Sequence, residues 1–469
     1  MSHAQIAVEQ QSATKRQTTL ALVAVFTTYS ATSFYTQGLN VASPKIAADL
    51  NGMALYSWAI SLPALAAAFV TLVFGKLSDM YGRRIILMVS LVFFLAGAIL
   101  AAVSQTFVFN IAARVVLALG QGALPPLCFS VIGDLFPPAE RSKWSGLLRI
   151  PSGITAIISP TMVGMITDGL SWRYLFWITA PLALISGVLV LFVMPSLTRR
   201  AAHKIDFLGS FLLAIASATM ILGFSWAGTT YAWKSIQIIG LLAVSVAFWA
   251  IFLWVEGRAA EPMLDPQVLT NRTFLTAAVS GFISFFGLLG ITVYYPLFLQ
   301  GVQGASATLT GKILTPFSVL LAFMGVPAGF LLGRTKRYKW MYIAGYAILT
   351  GAMFGMVAFD VGTPVWLGVL VIAMAGLGLG AIPTINALVA QFAVPKRLLG
   401  VAVGAVFFFV ITGRAIAPAI LGSAMNATYA KTLDRLLPAE LSQVADKATL
   451  ASLADPRVLL SPDAMVALQ

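Results

Sequence analysis

Long apolar stretches separated by short polar links run along almost the whole 469-residue chain. They centre near residues 30, 65, 94, 119, 158, 184, 216, 247, 286, 322, 349, 377 and 411. Each is about 20 residues long, enough to cross a bilayer as a helix. The pattern therefore predicts thirteen spans, and the cations in the links test that count. Alternate links hold nineteen: Lys15, Arg16; Lys76, Arg83, Arg84; Arg141, Lys143, Arg149; Arg199, Arg200, Lys204; Arg258, Arg272; Arg334, Lys336, Arg337, Lys339; and Lys396, Arg397. The links between them hold four: Lys45, Arg173, Lys234 and Lys312. Cation-rich short loops face the cytoplasm, so residues 1–17 are expected there, in a multi-pass protein of the plasma (inner) membrane. An odd count puts the polar tail, 427–469, outside. Its end, Asp463 to Gln469, lies where a missing fourteenth span could begin.

Composition agrees with the pattern. The chain is 59% hydrophobic and 10% charged, against about 25% charged in a soluble domain. An all-α polytopic membrane protein follows, with the lipid bilayer as its first partner. The net charge of +13 sits in the loops, so nucleic acid is not an expected partner. Cys128 is the single cysteine, and the two histidines, His3 and His203, lie outside the apolar stretches. No metal site, cofactor or catalytic residue is expected. No phosphate-binding G-x-x-x-x-G-K-[ST] run occurs, and no Ser-His-Asp set can be assembled, so an enzyme is not expected.

One link stands out. Gly75-Lys76-Leu77-Ser78-Asp79-Met80-Tyr81-Gly82-Arg83-Arg84 joins spans 2 and 3, and its glycines permit a tight turn. Gly329 to Arg337 echoes it 254 positions later, with Gly333 in place of the acid. Phe136 to Arg141 is echoed by Phe392 to Arg397, and Ser159-Pro160 with Gly164 by Ala417-Pro418 with Gly422. Three matches at nearly one offset predict two related six-helix halves. The expected division is 18–198 for the first half, 199–272 for two inserted linker spans, and 273–426 for the second half, five of whose spans are visible.

These residues carry a resemblance. Gly75, Leu77, Asp79, Gly82, Arg83 and Arg84 match the G-x-L-x-D-x-x-G-R-R loop of the major facilitator superfamily. Asn40-Val41-Ala42-Ser43-Pro44 is similar to the N-V-A-x-P element of its fourteen-helix drug:proton antiporter branch. Ser159, Pro160, Gly164, Trp172-Arg173 and Phe176 resemble the antiporter element of span 5, with Ser159 where the branch has glycine. Tyr294 to Gln300, with Gly304 and Gly311, is similar to the branch's exit from span 9. The resemblance covers nearly the whole chain. It implies a monomeric multidrug-efflux antiporter working by alternating access, with protons as the coupling ion. It also implies that Asp79 faces the start of span 13, and that a network of Asp79, Arg83, Arg84, Glu140 and Arg141 closes the inner side.

The departures are as informative. Tyr35 stands where the branch commonly has an acid, and none of the sixteen carboxylates falls mid-span. A buried carboxylate is the simplest proton carrier, so coupling would fall to an end-of-span acid, with Asp134 the better placed, or to the cargo. Arg114 and Arg414 lie within spans 4 and 13, where an arginine costs at least about 2.5–3.5 kcal/mol unless it faces a cavity or partner. Arg114 falls at the branch's span-4 arginine, although Leu117 and Ala118 replace the Gln and Gly that follow. The two arginines either line a substrate cavity or hold carbonyls freed at the Pro125-Pro126 and Pro418 kinks. Tyr35, Asn40, Trp58, Tyr294, Asn386 and Phe408 complete the candidate substrate site. An exporter of amphipathic or lipophilic molecules is the expected function; the alternatives are an exporter of organic anions or lipids, and a non-transporting sensor or scaffold.

Overall fold

The structure, a computed structural model, describes residues 15–52, 55–194, 206–228, 230–259, 262, 264–305 and 307–436. The proposed N-terminal leader and tail fall mostly outside these residues. Thirteen helical elements span the bundle. They are α1 (Lys15–Asp49), α2 (Tyr56–Tyr81), α3 (Arg83–Ala102), α4 (Phe107–Gln121 and Leu124–Leu135), α5 (Pro138–Leu147 and Arg149–Gly169), and α6 (Arg173–Val193). Two further helices follow, α7 (Phe207–Trp226) and α8 (Ile236–Glu256). The remainder are α9 (Arg272–Gly301), α10 (Ala307–Phe323 and Gly325–Thr335), α11 (Tyr338–Val357), α12 (Val365–Gly380 and Ile382–Ala393), and α13 (Leu399–Leu436).

Among the described residues, twelve helices are long and apolar enough to cross a membrane. The first helix, α1, is the thirteenth; it has the length but not the apolarity. Its polar side chains are satisfied within the helix: Thr28 donates to Ala24 O at 2.7 Å and Thr36 to Thr32 O at 2.8 Å. Hydroxyls bonded back to their own helix can enter the bilayer without stray donors. α1 packs against α5 and α6.

Several helices bend where the sequence removes a hydrogen bond. Pro125 and Pro126 open the second segment of α4, and Pro383 opens that of α12, 258 positions after Pro125. Proline lacks the amide that would join the two segments. Other starts are capped: Asn271 Oδ1 accepts from Thr273 N at 2.9 Å and Phe274 N at 3.2 Å. Such caps satisfy amides that have no partner within the helix.

Two hydrophobic cores result. One gathers Phe94, Phe129, Trp172 and Phe176 of α3–α6, and the other Phe274 and Phe317 with Phe252 of α8. The helices α7 and α8 pack on each other, and α7 lies against α2 and α13. α13 runs to Leu436, ten positions past the residue 426 expected from the sequence. Apolar side chains cover the outside, as a lipid-facing surface requires: Phe192 is 78% exposed and Val357 81%.

Candidate functional site

On the side of the basic loops, α2 and α13 cross in backbone contact. A Cβ added at Gly75 would stand 2.6 Å from Gly400 O, and one at Gly404 would stand 2.7 Å from Thr71 O. Only glycine allows this approach. Asp79 then reaches the first turn of α13, where its Oδ1 accepts from Gly400 N at 3.1 Å and its Oδ2 from Val401 N at 3.0 Å. A helix start offers unpaired amides and the positive end of the helix dipole, which suits a carboxylate. Arg83, 2% exposed, pairs with Asp79 at 2.6 Å and with Asp134 at 2.7 Å, and also donates to the Ser78 hydroxyl. Arg141 is buried, donates to Phe136 O at 2.9 Å and lies within electrostatic reach of Asp134. Gly82 turns the chain between α2 and α3 at φ 92°, a conformation that a side chain disfavours.

A second crossing, α5 on α10, seals the same side. A Cβ at Gly146 would stand 3.0 Å from Gly325 O, and Gly329 faces Ser142 and Gly146. Gln391 of α12 donates to Phe129 O of α4 at 3.1 Å, and the Phe129 and Phe407 rings lie 5.9 Å apart. Among the described residues, two glycine-lined crossings, the Asp79 contact with α13, the Gln391 bridge and the Phe129–Phe407 contact join α2, α4 and α5 to α10, α12 and α13.

Deeper in the bundle, α1 presents polar groups to cations and an amide. The Tyr35 hydroxyl lies near Arg114, and Arg114 Nε is buried without a partner. Edge-on contact with Phe94, at 5.7 Å between centroids, fixes the Tyr35 ring. Gln121 donates to Thr36 at 3.1 Å. Nearer the basic side, Arg149 donates to the Tyr29 hydroxyl at 3.0 Å, and its Nε has no partner. The Thr384 hydroxyl, on the same face of Gly325 as the Arg149 stem, is also unpartnered. Arg414 of α13 is exposed.

A family model described as Major Facilitator Superfamily matches residues 21–418. This chain belongs to the major facilitator superfamily. An uncharacterised MFS-type transporter of Mycobacterium tuberculosis (strain ATCC 25618 / H37Rv) is 34% identical over 401 residues, 86% of this chain and 58% of that protein. The chain thus spans less than two thirds of that relative's length. The multidrug transporter protein MdtP of Bacillus subtilis (strain 168) is 30% identical over 85% of this chain and 74% of its own. Among solved structures, the proton:xylose symporter XylE covers 96% of this chain and 95% of its own with a TM-score of 0.63 and 14% identity, a likeness of fold. The family and fold are those of transporters, and alternating access is general to them.

Within this major facilitator, the residues singled out from sequence separate into groups. Asp79, Arg83 and Asp134 meet in one cluster with Arg141 beside it, whereas Arg84 turns to the Leu191 carbonyl of α6 and Glu140 is exposed with no ion pair among the described residues. Asp134, the candidate proton carrier, is thus held by Arg83. Ser159 donates to Phe34 O at 2.8 Å and Gly164 approaches Val41, so the antiporter-type element ties α5 to α1; the Pro160 side chain lies outside the described residues. Asn386 accepts from the Tyr342 hydroxyl at 2.6 Å. Trp58 packs edge-on to Trp226 at 4.6 Å, and Phe408 lies 5.9 Å from Trp249, so they face α7 and α8. Asn40 is exposed, and Tyr294 stands beside Gly422 in a wide π-helical turn, Gly290–Tyr294. Sequence reasoning missed Arg149, Gln121 and Gln391. Arg149 was counted with the loop cations, but it stands eleven positions into the helical run that begins at Pro138, roughly 16 Å along it. That distance from Pro138 was the available signal.

Proposed function

We propose that this facilitator is a secondary transporter exporting amphipathic or lipophilic small molecules, with neutral or anionic cargo favoured over cations. The observation carrying the reading is the pair Arg114 and Arg149, each inside a span and each with an unpartnered Nε; Arg149 donates to Tyr29 of α1, and Arg114 lies near Tyr35 of the same helix. Arginine deep in a membrane normally faces a partner or a water-filled path. Tyrosine supplies a hydrogen bond without cancelling the charge, so an anionic group still gains by approaching. The name of MdtP supports efflux. Taking the basic side as cytoplasmic, closure by Asp79 and Arg83 makes this an outward-facing arrangement of two halves, 18–198 and 273–426, with the linker spans between them. We further propose a monomer with weak dependence on the pH gradient, because Asp134 is held in the closure and Tyr35 replaces the mid-span acid.

The test is a thermal-shift screen of amphipathic anions, cations and neutral molecules, followed by counterflow of labelled hits in proteoliposomes. Anionic or neutral hits that exchange, and lose binding in Arg114→Ala, support the reading. Binding without counterflow would instead indicate a sensor. Exchange confined to cations, unaffected by Arg114→Ala, would remove the charge argument.

A further inference from the structure

Phe129 of α4 forms a floor between the halves. Its ring stands 5.9 Å from that of Tyr29 on α1 and 5.9 Å from that of Phe407 on α13. α13 starts at the basic side, where Asp79 meets it, and α2 ends there; α1, joined to the start of α2, therefore runs away from that side as α13 does. Heights along α1 and α13 thus share one origin.

The surface of α13 divides by its neighbours. Gly400 and Gly404 meet α2, Val410 and Gly413 meet α9, and Phe408 meets Trp249 of α8. Arg414 follows Phe407 by seven positions, so it points only about 20° away, in the sector between the α2 and α9 contacts, and stands roughly 10 Å above the floor. Along this face Phe407 and Ile411 are half-buried, while Arg414 and Pro418 are exposed: the cleft between the halves widens away from the floor. Arg414 has no hydrogen bond or ion pair among the described residues. An arginine within a span normally faces a partner or a water-filled path.

α1 brings an amide to the same level. Thr36 faces α4 through Gln121, Gly38 faces Val163 of α5 and Leu175 of α6, and Tyr35 faces Phe94 of α3. Gln37 takes the side left over, half-buried and with no hydrogen bond among the described residues. It follows Tyr29 by eight positions, roughly 12 Å above the floor. One cation and one amide, at matching heights on opposite halves, suit one negative group. Phe407 and Ile411 beneath them offer apolar surface.

We propose that Arg414 and Gln37 receive the anionic head of the cargo, with its apolar body on Phe407 and Ile411, so that the favoured cargo is an amphipathic monoanion. The proposal rests on the exporter reading, but on neither Arg114 nor Arg149.

Dansylglycine, a monoanion, and its neutral methyl ester, titrated by fluorescence into the purified transporter, test the site. Wild type should bind the anion more tightly than the ester. Arg414→Gln should reduce that preference by about tenfold or more, the size of a lost hydrogen bond to a charged group, and Arg414→Lys should keep part of it. Gln37→Leu should weaken both ligands by about fivefold. Arg334→Gln, at an exposed cation on the basic side, should change neither. Equal binding of anion and ester by wild type would overturn the proposal, as would an undiminished preference in Arg414→Gln. Equal losses in Arg414→Gln and Arg334→Gln would overturn it too, by indicating diffuse attraction. Loss of the preference in Arg114→Ala, with Arg414→Gln unaffected, would reject this site and leave the exporter reading intact. The expected pattern without counterflow would keep the ligand site and remove the export reading instead.

Discussion

The two crossings that seal the basic side are built alike in their backbone and differently in their charges. In α2 on α13, Gly75 meets Gly400; in α5 on α10, Gly146 meets Gly325 and Gly329. Gly75 and Gly329 are 254 positions apart, so the repeated motif supplies a crossing glycine to each. The turn after it is repeated as well: Gly82 has φ 92° and Lys336, its counterpart, φ 51°. The acid is not repeated. Asp79 binds the start of α13 and Arg83, whereas Gly333 holds no carboxylate and α5 on α10 relies on packing, with Arg149 turned to Tyr29. Steric closeness was kept in both halves, and the electrostatic latch in one. The α2–α13 crossing should therefore respond to charge and the α5–α10 crossing chiefly to bulk.

The largest effect expected is from bulk. Gly75→Leu and Gly329→Leu should each force the halves apart and abolish counterflow, with the protein still folded by thermal melting. Retained transport in either would mean that close approach at that crossing is not required. Next is charge. Asp79→Asn leaves Arg83 with only Asp134, and removing one partner of a buried pair costs about 3–5 kcal/mol. The closed basic side should lose most of its population, read by spin-label distances across the α2–α13 crossing. Lys339→Gln, at an exposed cation in the first turn of α11, should leave those distances unchanged. Smaller again, Tyr29→Phe removes a bond to a charged group worth about 1.5–3 kcal/mol. It should weaken binding of anionic cargo while sparing neutral cargo, measured by thermal shift. The smallest change concerns the repeated turn. Lys336→Gly relieves a left-handed residue and should raise stability by about 1 kcal/mol or less, seen as a modest increase in melting temperature.

The spans and the Asp79 contact were legible because each leaves a linear mark: an apolar run of set length, or an acid at a fixed place in a glycine-arginine link. Which way a side chain faces leaves no such mark. Trp58 and Phe408 were read from sequence as substrate-site residues, and the structure sets them against Trp226 of α7 and Trp249 of α8. Helices far away in sequence thus decide the neighbours of both residues. Arg149 was hidden for another reason. Its loop is short, and the helix begins at Pro138, so a cation assigned to the surface is carried into the bundle. Arg84 and Glu140 have the composition of a network, but the turn at Gly82 sends Arg83 inward and leaves Arg84 to α6.

Tyr35 opposite Arg114 has an energetic consequence for the transport cycle. A carboxylate there could carry a proton inward as cargo leaves; a tyrosine, ordinarily neutral until about pH 10, does not. An exported anion would then cross the membrane as net current. In a cell whose interior is negative, voltage alone drives such an anion outward by about 2.3 kcal/mol per charge per 100 mV. An anion exporter of this kind would need no acid of its own, because the membrane potential would empty it.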